Sequence, residues 1–203
     1  MYMNSNINYD VLLDYNKICH VYYKICISTK HKEKLTRFEL YKFSYFMNLY
    51  SLLKNETYVH DKYNIFLVKY PKYRIIMSEN LCDKVVNHLL SIYVLLPVIE
   101  PKLIDMNVAT RKGKGLEKGL FFVKKYLHKI KNKKYYVLKC DIHKYFYNID
   151  HQILIEMLSN VISDERIIKL IKKIVISTDS DYVNKNINRI LEKENNLSDN
   201  KNR

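Results

Sequence analysis

The chain has 203 residues, 48% of them hydrophobic, with only 3 Gly and 3 Pro, which excludes a fibrous or disordered class and leaves room for one sizeable core or two small ones. Its 35 basic residues outweigh 21 acidic ones for a formal charge of +14, and the aromatic fraction of 13% is nearly all Tyr. An excess of that sign, mixed with rings that can stack on bases, points to a polyanionic partner, nucleic acid above all. The same abundance of Asn, Lys, Ile and Tyr also follows from an AT-rich coding sequence, whatever the function.

Cys19, Cys26, Cys82 and Cys140 show no C-x-x-C pair and no His at zinc-ligand spacing, so neither a disulfide frame nor a zinc site is expected. No basic-then-apolar leader opens the sequence, and no run approaches the roughly 18 apolar residues of a membrane span. The expectation is a cytoplasmic chain with no membrane contact.

In chain order, Leu12, Tyr15, Ile18, Tyr22 and Ile25 recur at helical spacing and predict an amphipathic helix over about Tyr9 to Ser28. A polar break from Ser28 to Lys34 precedes a second helix, Phe38 to Leu53, with Phe38, Tyr45, Leu49 and Leu52 as its stripe. The period then changes. Tyr63 to Tyr70 and Tyr73 to Ser78 are β-favouring runs joined at Tyr70-Pro71-Lys72, a hairpin signature in which Lys69 and Arg74 flank the turn. Helical spacing returns at Leu81, Val85, Leu89 and Ile92 and stops at Pro97 and Pro101.

A short basic loop, Thr110 to Gly115, carries Arg111, Lys112 and Lys114 and leads into a helix with the cleanest amphipathic pattern, Leu116, Leu120, Val123, Leu127 and Ile130. Its other face and exit carry Lys124, Lys125, Lys129, Lys131, Lys133 and Lys134, a basic region that a nucleic-acid backbone could follow. Tyr135 to Cys140 is a predicted strand that ends by presenting Asp141, with Phe146 five residues on. Helices are predicted over Ile153 to Val161 and Asp164 to Ile176, the second N-capped by Ser163, with Ile167, Leu170, Ile171 and Ile174 buried. After Ser177 apolar residues thin out, and residues 178–203 read as a polar, disordered tail, at best a frayed helix around Val183 to Leu191.

The order of a Lys/Arg-bearing hairpin, a helix, a basic loop at Arg111 to Gly115 and the run Leu138-Lys139-Cys140-Asp141-Ile142-His143-Lys144-Tyr145-Phe146 resembles bacterial reverse transcriptases of the group II intron, retron and diversity-generating type. Pro71-Lys72-Tyr73-Arg74-Ile75-Ile76 is similar to that family's fingers motif, and the likeness runs from about Tyr63 to Ile176. It implies an α+β right-hand polymerase fragment, with an N-terminal helical extension at 1–55, fingers at 56–134, a partial palm at 135–177 and the tail at 178–203.

The implied activity is RNA-templated DNA synthesis by two-metal nucleotidyl transfer, with Mg²⁺, or Mn²⁺ in its place, an RNA template, a DNA or RNA primer and deoxynucleoside triphosphates. Asp141 is then a metal carboxylate and the Ile142 carbonyl its neighbouring ligand. Phe146 lies under the incoming sugar, and Lys69 and Arg74 neutralise the triphosphate. Arg111, Lys112 and Lys114 contact nucleic acid.

The departure from the family pattern is equally specific. The second catalytic carboxylate comes from a Tyr-x-Asp-Asp hairpin preceded by a Ser-Gln-containing motif, and this sequence contains no Asp-Asp pair. These 203 residues are therefore expected to be inactive alone and to lack a C-terminal polymerase half. The alternative is a basic RNA-binding module without catalysis, or a decayed remnant.

Overall fold

A computed structural model describes residues 7–30, 33–131 and 133–199. The elements are α1 (Tyr15–Ser28), α2 (Glu33–Lys54), β1 (Asn64–Val68), β2 (Arg74–Ser78), α3 (Leu81–Leu90), α4 (Leu96–Ile99), α5 (Leu116–Lys129), α6 (His151–Ser159), α7 (Glu165–Ile176) and α8 (Asp181–Asp199). The structure is helix-rich with one two-stranded antiparallel sheet, compatible with the α+β class. Contacts divide it into two units, residues 1–97 with 150–203, and residues 98–149.

In the first unit, aromatic and aliphatic stripes decide the packing. Ile18, Val21, Tyr22 and Ile25 of α1 are buried, as are Phe38, Phe46, Leu49 and Leu53 of α2 and Val85, Val86 and Leu89 of α3. Phe46 is fully buried and lies edge-on to Tyr22 at 5.3 Å between ring centroids, with Phe38 at 5.8 Å. Asp14 caps α1 by accepting from the Asn16 and Lys17 amides. The helix α2 begins at Glu33, earlier than the aromatic stripe alone predicts, because Leu35 already reaches the core.

The hairpin forms in the predicted place, with Val68 opposite Arg74 and Asn64 opposite Ser78. Asn80 follows at once and caps α3 by accepting from the Asp83 amide. The helix beginning there runs through a π-turn at Ser91–Leu95 into α4, so that Leu81–Lys102 is one 22-residue stretch long and apolar enough to cross a membrane by length and composition. Its sequence does not read that way because Asp83, Lys84, Asn87 and His88 interrupt the apolar run, and Val85, Val86, Leu89, Leu90 and Val94 form the buried stripe of a core helix.

The N-terminal turn is tied to α7: the Tyr9 amide donates to Asp164 Oδ2 at 2.7 Å, and the Arg166 guanidinium lies 5.0 Å over the Tyr9 ring. Asp164, not Ser163, is the N-cap of α7, its other oxygen accepting from the Arg166 amide at 2.9 Å. The carboxylate serves two amides at once, one from each oxygen, and adds negative charge at the helix N-terminus. Asp150 caps α6 in the same way, as its place at the start of that helix suggests. The polar segment after Ser177 also departs from expectation, since Asp181–Asp199 is helical with Val183 buried. One anchoring residue and a Tyr182 hydroxyl that accepts from the Tyr63 amide hold a stretch whose composition alone suggests no order.

Above the N-terminus of α3 sits a buried polar cluster. Tyr58 donates to Asp83 Oδ1 at 2.6 Å, the Asp61 amide to Asp83 Oδ2 at 3.1 Å, and the His60 ring stacks on Tyr63 at 4.4 Å. The His60 side chain is fully buried, with Nδ1 3.7 Å from Asp83 and Nε2 4.0 Å from Glu79. Burial opposes charge on this ring, but the Glu79 carboxylate, the Asp61 carbonyl and Asp83 outweigh it, and the pKa is raised above its ordinary value of 6.5.

Two expectations follow for stability. Phe46→Ala removes the ring at the centre of the α1–α2 packing and should cost roughly 3–5 kcal/mol in urea denaturation. Because the folded pKa of His60 lies above the unfolded one, its contribution is complete below pH 6.5 and is lost as pH rises through the folded pKa. The wild type should lose stability over that rise, and His60→Gln should flatten the profile there.

Candidate functional site

The residues singled out by the sequence fall in both units. Lys69 and Arg74 belong to the first; Arg111, Lys112, Lys114, Asp141, Ile142 and Phe146 belong to the second.

At the hairpin, Arg74 opens β2 and is exposed, and it makes no ion pair among the described residues. Lys69 lies just beyond β1 and pairs with Glu194 of α8 at 2.7 Å, a contact that raises its pKa. Lys69 is exposed and Glu194 partly so, so the pair is weak and open to exchange for another anion.

The basic loop of the second unit is built around Arg111. Its guanidinium pairs with Glu100 at 2.8 Å and donates from one nitrogen to the Ile104 and Asn107 carbonyls, both at 2.9 Å, and its side chain is only 9% exposed. Lys114 donates to the Asp105 carboxylate and carbonyl, each at 3.2 Å. Two of the three loop cations thus hold the loop itself, while Lys112 is exposed and makes no ion pair among the described residues. Gly115 takes φ +100, a conformation only glycine adopts without strain, and its amide donates to the Val108 carbonyl. The Lys114 amide is likewise spent on the Arg111 carbonyl, so these two N–H groups of the glycine-containing loop close the turn.

The helix α5 follows with its predicted boundaries but not its predicted burial. None of its residues is buried, and Leu116, Leu120, Val123 and Leu127 are all exposed. The segment Tyr135 to Ile142 has no regular secondary structure and pairs with no strand, so the predicted strand does not form. The reason lies in the ladder: a strand exists only with a partner, and both strands of the described residues pair with one another. Tyr136 is 100% exposed, Val137 81% and Leu138 86%.

Asp141 stands near the end of that unpaired run. Its Oδ1 accepts from the Ile142 amide at 3.0 Å, and both residues are exposed. A turn follows in which Lys144 has φ 45 and Asn148 Nδ2 donates to the His143 and Lys144 carbonyls at 3.0 and 3.3 Å. The turn closes as a short 3-10 helix, Tyr145–Tyr147, which carries Phe146 outward at 85% exposure, edge-on to Tyr145.

Asp141 and the Ile142 carbonyl offer one carboxylate and one neutral oxygen. Among the described residues no group of three or more His, Cys, Asp or Glu is placed to hold a metal ion. A two-metal centre needs carboxylates bridging both ions, so these donors alone do not fit one. The sequence reading passes over Lys62, Lys169, Lys172 and Lys173, which line a cleft in the first unit; their positions are split between a loop and one helix, so no local motif marks them.

Compared with protein-family models and with curated proteins, the chain matches none.

Removing Arg111 should loosen the loop whereas removing Lys112 should not. Arg111→Ala is expected to cost about 1–2 kcal/mol, discounted for the exposure of Glu100, and to speed proteolysis between residues 103 and 115. Lys112→Ala should leave the cleavage rate at the wild-type value.

Proposed function

We propose that this chain is the fingers and first palm portion of a reverse transcriptase-type, RNA-directed DNA polymerase, able to hold RNA but not to polymerise by itself. The observation that carries the reading is the run Tyr135 to Asp141: a β-favouring sequence ending in a carboxylate, solvent-exposed and paired with no strand. The exposed apolar stripe of α5 supports it as well, since an amphipathic helix gains its stability from a surface laid against it.

In this reading Asp141, with the Ile142 carbonyl, supplies part of a centre for Mg²⁺ or Mn²⁺. That centre would neutralise charge during transfer from a deoxynucleoside triphosphate to a primer. Phe146 is an exposed ring that can lie against the sugar. Arg74 and Lys69 are the exposed cations for the triphosphate, the second after exchanging its partner Glu194. Lys112 is the loop cation left for template or primer phosphate, with Arg111 and Lys114 shaping the loop that presents it. No catalytic step is assigned to these residues alone, because the second carboxylate is not among them.

A second reading, a basic RNA-binding module without catalysis, is favoured by one observation: no further acid is grouped with Asp141 to complete a metal site among the described residues.

The two readings part in one experiment. The chain is assayed for RNA binding and primer extension, alone and together with the polypeptide encoded downstream in any frame. The polymerase reading expects a Tyr-x-Asp-Asp in that downstream product, no extension by the chain alone, and extension on co-expression that Asp141→Ala abolishes while RNA affinity stays unchanged. Absence of such a coding stretch, with salt-sensitive RNA binding indifferent to Asp141→Ala, selects the binding module.

A further inference from the structure

The first unit holds a concave surface that shares no residue with the candidate site. Lys62, from the loop before β1, joins Lys169, Lys172 and Lys173 of α7 and the hydroxyl-bearing Ser177 and Tyr182 around a cleft of about 470 Å³. Positions 169, 172 and 173 share a face of α7, while Ile167, Leu170 and Ile171 turn into the core, so burial of the apolar stripe itself aims the lysines at the cleft. No Asp or Glu lines it.

The four cations are held in different ways. Lys173 Nζ donates to the Glu56 and Tyr58 carbonyls at 2.7 and 3.1 Å, acceptors that fix its position without cancelling its charge. Lys62 sits 5.9 Å from the centre of the Tyr182 ring, and neither it nor Lys172 makes an ion pair among the described residues. Only Lys169 is paired, with Glu56 at 3.4 Å. The Tyr182 hydroxyl accepts from the Tyr63 amide at 2.9 Å, and its own proton has no acceptor among the described residues.

Three uncompensated ammonium groups around one cleft repel one another, and an anion relieves that repulsion. A phosphate diester offers charge and several acceptor oxygens to donors approaching from different sides, as these do. His60, Ser177, Ser180 and Tyr182 complete the lining, and Val59 and Ile176, 74% and 45% exposed, flank the cations with apolar surface suited to a sugar or base rather than to a fully hydrated ion.

We propose that this cleft binds the backbone of single-stranded RNA, one phosphate among Lys62, Lys172 and Lys173 and a nucleoside against Val59 and Ile176. The proposal rests on the RNA-binding part of the proposed function for its ligand, and not on the polymerase part.

The test is binding of the full chain to a single-stranded RNA oligonucleotide across a salt series, with Lys62→Ala/Lys172→Ala as the variant. Neither ammonium group hydrogen-bonds within the described fold, and an unchanged melting temperature establishes that the variant is folded. Affinity at low salt should fall about tenfold, and the slope of log K against log salt should shrink by about 0.7, the share of the one phosphate held there. An unchanged slope overturns the proposal, as does wild-type protein that binds no RNA.

Tripolyphosphate and a polyglutamate peptide serve as competitors. Weak competition by both supports the RNA assignment. Tripolyphosphate binding as tightly as RNA would reassign the cleft to free polyphosphate, and polyglutamate doing so would reassign it to an acidic peptide; either overturns the proposal. Primer extension separates the two claims: its failure removes the polymerase reading and leaves the Lys62/Lys172 effect standing.

Discussion

The first unit depends on Phe46, a fully buried ring that packs against the stacked pair of Tyr22 from α1 and Phe38 from α2. Edge-to-face contact of this kind adds to simple area burial and fixes the rotation of each helix about its own axis. Once α1 and α2 are fixed, α3 can pack only with Val85, Val86 and Leu89 inward, and that orientation puts Asp83 beneath Tyr58, Asp61 and His60. The polar cluster in turn anchors the chain entering β1, while Asn80 caps α3 immediately after β2 leaves the hairpin. The exposed Arg74 therefore owes its place to a ring two elements earlier in the chain.

Much of this order is readable in the sequence because burial imposes a period. Ile18, Tyr22 and Ile25 recur at the spacing of a helix face and are all buried, whereas Leu12 is buried from a separate 3-10 turn, Tyr9–Leu12, because the Asp14 cap starts α1 only at Tyr15; Pro71 marks the turn that joins β1 to β2. What could not be read were features set by partners distant in sequence. Asp164 caps α7 with one oxygen and holds the Tyr9 amide with the other, and nothing local to Ser163 or Asp164 announces Tyr9. The same holds for α8, whose Tyr182 hydroxyl accepts from the Tyr63 amide more than a hundred positions away.

The candidate site was legible as chemistry and less so as geometry. Sequence marks Arg111, Lys112 and Lys114 as equivalent cations; the fold uses Arg111 and Lys114 to tie the loop and leaves Lys112 to solvent. A planar guanidinium with several donors can gather carbonyls that a turn would otherwise leave unpaired, which is why Arg rather than Lys sits at the centre of the loop. The strand expected at Tyr135 to Cys140 has the right residue types, yet propensity cannot supply the neighbouring backbone that a ladder requires.

That uncovered run has a consequence for the protein as a material. Tyr135 to Leu138 joins high β-propensity to exposed apolar area and free backbone donors and acceptors, the composition that templates cross-β association between chains. Lys133 and Lys134 precede it and Lys139 follows, placing like charges at both ends of the adhesive stretch. They act as gatekeepers: two copies that zip together along this run must bring those ammonium groups into register, and the repulsion is strongest in dilute salt. A handful of lysines thus opposes association along this run, and opposes it more strongly as ionic strength falls.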